Sequence, residues 1–177
     1  FSNQKAPLNF IKAIPDVLRK KRDVQFVMVG DGELRPKIEK LSKELGIDSK
    51  IVLLGFREDV PEILRVLDVF VLTSLWEGLG RSLTEAMYSS RPVVATSVEG
   101  VPELVKDGET GILVPPNDFK AIARGILTLL SDQEKAQKLG QTAKQRITDA
   151  FRAEVMVASL EKLYQEVLSE KLDKKHF

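Results

Sequence analysis

The sequence predicts an α/β fold, a doubly wound parallel sheet with helices on both faces. Short apolar runs alternate with amphipathic stretches from Ala6 to Val114, and such alternation means βαβ units and a parallel sheet. The apolar runs are continuous rather than alternating, as expected of strands covered on both sides. Right-handed crossovers then leave the doubly wound arrangement as the simplest solution.

The elements follow in order. Leu8, Ile11, Ile14 and Leu18 recur at helical spacing within Ala6 to Lys20. Val24 to Val29 is a β-rich run closed by Gly30-Asp31-Gly32. Glu33 to Leu45 is a polar helix stopped by Gly46. Ile51 to Leu54 is a buried strand ended by Gly55, and Asp59 to Leu67 a short helix with Pro61 in its first turn. Val69 to Leu72 is strand, Leu83 to Ser90 helix, Pro92 to Thr96 strand, Val101 to Val105 a helical turn and Ile112 to Val114 a strand. Three helices close the chain, Asp118 to Leu130, Gln133 to Ile147 and Glu154 to Leu172, the last within a C-terminal stretch 151–172. Asp118 and either Ser131 or Asp132 are the candidate N-caps. The pattern opens on a helix, whereas doubly wound folds open on a strand. The expectation is one Rossmann-like domain over residues 1–177, with its first strand and a further N-terminal domain outside the chain.

Composition excludes several classes of function. The 177 residues carry 27 Lys plus Arg against 26 Asp plus Glu, a formal net charge of +1. That balance argues against bulk electrostatic binding to nucleic acid. There is no Cys and one His, so neither a disulfide nor a Cys- or His-rich metal centre is expected. No uncharged run exceeds eight residues, as in Val69 to Trp76, far short of the roughly twenty a membrane helix needs. Nothing at the front reads as a leader, and the expected location is cytoplasmic. His176 sits among Lys at the end of the chain and reads as tail.

Ligands of open parallel sheets bind outside the carboxyl ends of the strands. Gly30, Asp31 and Gly32 follow the first strand, Gly55, Phe56 and Arg57 the second, residues 73–81 the third and 97–102 the fourth. The third loop is the most informative. Gly78 and Gly80 lie just before a helix, where glycine lets a ligand approach and first-turn amides favour an anion. Glu77 and Glu85 flank this point, and carboxylates there suit the hydroxyls at either end of a phosphate-bearing ligand better than the phosphate itself. A tight connection and solvated glutamates fit the same spacing equally well. Trp76 fits a pocket wall or the core, Arg81 a phosphate or solvent, and Thr73 and Ser74 the pocket or local backbone groups.

The motif Glu77-Gly78-Leu79-Gly80, then Glu85-Ala86-Met87, Arg91-Pro92-Val93-Val94-Ala95-Thr96 and Gly100-Val101-Pro102-Glu103, closely resembles the group 1 glycosyltransferases. These are family 4, retaining enzymes of the GT-B fold. Glu77 and Glu85 reproduce the E-x7-E pattern, and Val29 to Gly32, Leu54 to Phe56 and Gly108 to Pro115 extend the likeness over nearly the whole chain. The resemblance implies the C-terminal, donor-binding half of such an enzyme. It implies a UDP-, GDP- or ADP-sugar as substrate, no cofactor and no metal.

Residue by residue, it implies Glu85 on the ribose, Glu77 beside the donor sugar, and the stretch Gly78, Leu79, Gly80, Arg81, Ser82 and Leu83 around the diphosphate. Lys5 matches the family's lysine that neutralises the diphosphate, and its arginine partner would lie before Phe1. Gly55, Phe56 and Arg57 would hold the nucleobase, with Gly30, Asp31 and Gly32 nearby. Catalytic roles fall to Lys5 and Glu77. The chain departs from the family at Ala6, where glycine is usual, and at Glu99, where a glycine commonly stands. Glu99 either tunes sugar choice or, as the preferred reading, points outward.

The implied reaction is retaining transfer of a hexosyl group to a sugar, lipid-linked or small-molecule acceptor held by the absent domain. This chain alone is then expected to be inactive. A membrane surface is a possible partner of the longer protein. The alternatives are a non-catalytic nucleotide-binding or interaction module, and a sugar-nucleotide epimerase of the same fold. A dinucleotide-dependent dehydrogenase is not supported, because no G-x-G-x-x-G follows a first strand.

Overall fold

A computed structural model describes residues 1–150 and 152–173. In chain order it contains α1 (Pro7–Leu18), β1 (Phe26–Val29), α2 (Arg35–Glu44), a 3-10 turn (Asp48–Lys50), β2 (Ile51–Gly55), α3 (Val60–Val66) and β3 (Phe70–Leu72). Then follow α4 (Arg81–Tyr88), β4 (Val93–Thr96), α5 (Val101–Leu104), β5 (Ile112–Val114), α6 (Phe119–Ser131), α7 (Gln133–Ala150) and α8 (Ala153–Asp173). The expected helices and strands are all present. His176 lies outside the described residues.

All strand pairing is parallel. β1 pairs with β2 through Phe26 and Ile51, with a bulge after Met28, while β3, β4 and β5 form a second ladder through Phe70–Val93 and Val94–Ile112. The two ladders are not hydrogen-bonded to each other. A slot of about 630 Å³ lies between β1 and β3.

Helices cover both faces, as the continuous apolar strands require. Successive side chains of a strand point to opposite sides. In the wholly buried strand β4, Val94 joins a core with Ile11, Ile14, Ile122 and Ile126, from α1 and α6. Its neighbours Val93 and Ala95 join a second core with Leu83, Met87, Leu104 and Ile147, from α4, α5 and α7. Asp118 caps α6 by accepting a hydrogen bond from the Ala121 amide at 2.8 Å, and Asp132 accepts from Lys135 at the start of α7. Helix α8 differs from the rest, since its side chains from 153 to 169 are all exposed, including Leu160, Leu163 and Tyr164. Among the described residues no helix is long and apolar enough to cross a membrane.

Candidate functional site

The loop from β3 to α4 is built around Glu77. The residue is 7% exposed, which is unusual for a carboxylate. Burial is compensated by two partners on Oε2, the Lys5 ammonium and the Ser74 hydroxyl, the latter at 3.0 Å. Lys5 is brought there by stitches between residues 4–6 and the loop. The Leu75 amide donates to the Gln4 carbonyl at 2.7 Å, Gln4 Nε2 to the Trp76 carbonyl at 3.1 Å, and Thr73 Oγ1 to the Lys5 carbonyl at 2.8 Å. Thr73 and Ser74 thus bind local groups, and Thr96 at the end of β4 steadies Ser74 by donating to its carbonyl at 2.6 Å.

Glu99 is exposed, as the outward reading expects, yet its carboxylate also holds the Glu77 loop. The Glu77 amide donates to Glu99 Oε2 at 2.9 Å, and the Gly100 amide donates to the Glu77 carbonyl at 3.2 Å. Both backbone groups of Glu77 are therefore held by residues 99 and 100. The approach is so close that a Cβ on Gly100 would overlap the Gly78 carbonyl. Glu99 adopts a left-handed conformation to reach it, at φ 39°. Ala6, beside Lys5, is also left-handed at φ 42°. Backbone strain of this kind gathers where surrounding structure fixes a site.

Helix α4 starts at Gly80, left-handed at φ 62°, and no side chain caps it. Its first amides, on Arg81 and Ser82, have no acceptor within the helix. The start of the helix packs against the side chain that pairs with Lys5, for a Cβ on Gly80 would stand 3.3 Å from Glu77 Cγ. Lys5, Ser82 and Glu85 also line the mouth of the slot between β1 and β3. Arg81 Nε donates to Glu85 Oε1 at 3.0 Å, one helical turn away. Leu83 is fully buried and packs in the core, while Leu79 and Trp76 are exposed. Met87 is fully buried, and Tyr88 is exposed beneath the Lys144 ammonium.

The turns after β1 and β2 form a neighbouring cluster. The Gly30 amide donates to the Gly55 carbonyl at 2.7 Å and joins the two turns. Asp31 accepts from the Gly32 amide at 2.7 Å and from Arg35 at 2.9 Å, and these hold its carboxyl below the ordinary value. Arg57 grips Asp59 with two bonds, at 2.7 and 2.6 Å, lowering that carboxyl too. Phe56 is exposed at the rim. The Phe1 amino group meets the Asp31 carbonyl and the Leu34 amide donates to Phe1, so residues 1–6 span the ends of β1 and β3.

The structure therefore gathers Lys5, Glu77, Gly78, Gly80, Ser82 and Glu85 at one edge. It gathers Gly30, Asp31, Gly32, Gly55, Phe56 and Arg57 at the next turns, linked through Phe1. Sequence reasoning did not single out Gln4, Arg35 or Thr96 for their roles here. Thr96, a polar residue ending an apolar strand, carried a usable signal. Among the described residues no group of three or more His, Cys, Asp or Glu is arranged to hold a metal ion.

Known proteins resemble the chain in sequence and in fold. The model of the family described as glycosyl transferases group 1 matches residues 1–146. The N-acetyl-alpha-D-glucosaminyl L-malate synthase of Bacillus anthracis is 33% identical over 159 residues, covering 90% of this chain and 40% of that protein. The crystal structure of HepE from Anabaena with UDP and glucose superposes with a TM-score of 0.82 at 27% identity, over 96% of this chain and 46% of that one. The C-terminal domain of a group 1 family protein, LpcC of Francisella tularensis, gives a TM-score of 0.80 at 30% identity, over 86% of this chain and 83% of that one. The chain spans about two fifths of the length of the curated relatives it matches.

Proposed function

The chain belongs to the group 1 glycosyl transferases, and on that premise we propose that it binds the nucleoside-diphosphate end of an activated sugar donor. The observation that carries this reading is the uncapped start of α4 against Glu77, which is paired with Lys5, with Glu85 one turn into the helix. Helix amides and an ammonium favour a diphosphate there. An ammonium has three donors, so Lys5 keeps Glu77 while offering a second hydrogen to a phosphate oxygen. Glu85 exchanges Arg81 for ribose hydroxyls, and Arg81 becomes available to the phosphates. Glu77 orients the donor sugar. The linked turns at Gly30 to Gly32 and Gly55 to Arg57 take the nucleobase. That HepE was crystallised with UDP and glucose supports a donor of this class.

In the longer protein the reaction is retaining transfer of a hexosyl group. The bond from the sugar to the diphosphate breaks through an oxocarbenium-like state, and negative charge collects on the leaving phosphate. Lys5 and the amides of Arg81 and Ser82 stabilise that charge, where losing one donor costs about 10²–10³-fold in rate. The acceptor, whether sugar, lipid-linked or small molecule, is held by the rest of that protein in the cytoplasm, and a membrane contact belongs there too. This chain alone binds donor and transfers little sugar.

Calorimetric titration with UDP, GDP and ADP, each with and without its sugar, tests the reading. One nucleotide should bind selectively, and Glu85→Gln should weaken it by about 1.5–3 kcal/mol, the worth of a charge-assisted hydrogen bond. Equal binding by the variant would refute the role of Glu85. Selective binding combined with sugar transfer by this chain alone would refute the division of labour.

A further inference from the structure

We infer that Glu99 is a positioning residue for the donor sugar, acting through the backbone of Glu77 to aim the free oxygen of the Glu77 carboxylate. This deepens the donor site proposed above and rests on that reading.

The two carboxylate oxygens of Glu77 differ. Oε2 carries both partners, the Lys5 ammonium and the Ser74 hydroxyl, and Oε1 carries none. Among the described residues no side-chain polar atom is both buried and without a partner, so Oε1 reaches the surface. It is the acceptor left for a hydroxyl of the sugar.

The anchors on Oε2 hold the tip of the side chain and leave its backbone end to be fixed by other groups. Glu99 Oε2 accepts from the Glu77 amide at 2.9 Å, and the Gly100 amide donates to the Glu77 carbonyl at 3.2 Å. Packing does little here, because Trp76, Gly78 and Leu79 around Glu77 are exposed. Gly78 and Gly80 add conformational freedom. Hydrogen bonds from residues 99 and 100 therefore set the course of the loop, and with it the direction of Oε1.

Glu99 has no other partner to serve. Among the described residues its carboxylate meets no cation, and the Glu77 amide is its one hydrogen-bond partner. Its left-handed backbone, at φ 39°, is a strained conformation of the kind that persists where the surroundings fix it. The contact also separates the two halves of the donor. Hydrogen bonds weaken steeply as they bend, so a loosened loop loses the sugar hydroxyl first. The groups assigned to the nucleotide are held independently. Leu83, Ala86 and Met87 anchor α4 in the core, and Thr73 and Leu75 hold the backbone of Lys5 and Gln4.

The test is calorimetric binding of UDP, GDP and ADP, and of their glucosyl and N-acetylglucosaminyl esters, to this chain and two variants. Glycine adopts a positive φ without strain, so Glu99→Gly removes the carboxylate and keeps the backbone path. Glu99→Gln keeps an oxygen that accepts from the Glu77 amide. The affinity that the sugar adds to its nucleotide should fall about fivefold in Glu99→Gly, the worth of one hydrogen bond, and return in Glu99→Gln, with bare nucleotide changed less than about twofold in both. Hydrogen exchange at the Glu77 amide should quicken about tenfold in the glycine variant alone, with exchange in β4 unchanged. Equal losses for nucleotide and nucleotide-sugar would show that Glu99 only supports the fold, and would overturn the proposal. So would an unchanged sugar gain, a glutamine variant that behaves like the glycine one, or an unaltered chain that takes nucleotide yet gains nothing from either sugar. Failure of every nucleotide to bind the unaltered chain is a separate result, which would remove the donor site itself and this inference with it.

Discussion

Ala6 holds a backbone conformation, φ 42° and ψ 50°, that costs an ordinary L-residue about 1–2 kcal/mol and glycine almost nothing. Glycine gives back about half of that gain through its freer unfolded state. Ala6→Gly should therefore raise stability by about 0.5–1 kcal/mol, visible as a higher urea midpoint with an unchanged slope. Glu99 is strained in the same sense, yet its carboxylate is held by the Glu77 amide, so its strain is tied to a contact. This contrast marks how far single residues were legible. Lys5, Glu77 and Glu85 stood out because their chemistry and spacing are unusual. The bond of exposed Glu99 to the loop did not, since its partner is an amide 22 positions away that no local pattern reports.

At the scale of elements, helix ends carry local signals. Asp118 accepts from the Ala121 amide, and Asp118→Ala should cost about 1 kcal/mol, measured as a lower thermal midpoint. Such signals made most element positions readable in the sequence. Helix α4 begins at Arg81, before the first apolar residue Leu83 that marked its expected start, because left-handed Gly80 serves as its cap position. The division of the strands into two ladders was not legible, for a strand's apolar run is the same whether one edge is paired or both. Nor was the exposure of α8, whose apolar residues differ little from those of a buried helix.

Over the whole molecule, charge is nearly balanced, and the site's cations are each paired with a carboxylate: Lys5 with Glu77, Arg81 with Glu85, Arg57 with Asp59 and Arg35 with Asp31. The Gly32 amide, then Arg35, holds the Asp31 carboxyl below its ordinary value of 3.8, and Arg57 does the same for Asp59. A depressed value stabilises the folded state above the unfolded value, and the contribution vanishes as pH falls through the folded one. These two pairs should leave stability flat from pH 7 to about 5 and weaken it on acidification below about 4. Denaturation midpoints across that range check this, and Asp31→Asn should flatten part of the acid limb. The stitch between residues 4–6 and the Glu77 loop has a temporal consequence. Lys5 and Glu77 lie 72 positions apart, and closing so long a loop costs chain entropy before any contact is gained. Those contacts form late, once the strands between them are in place, and they break early. The charges that make the site therefore govern how quickly the protein comes apart more than how quickly it assembles.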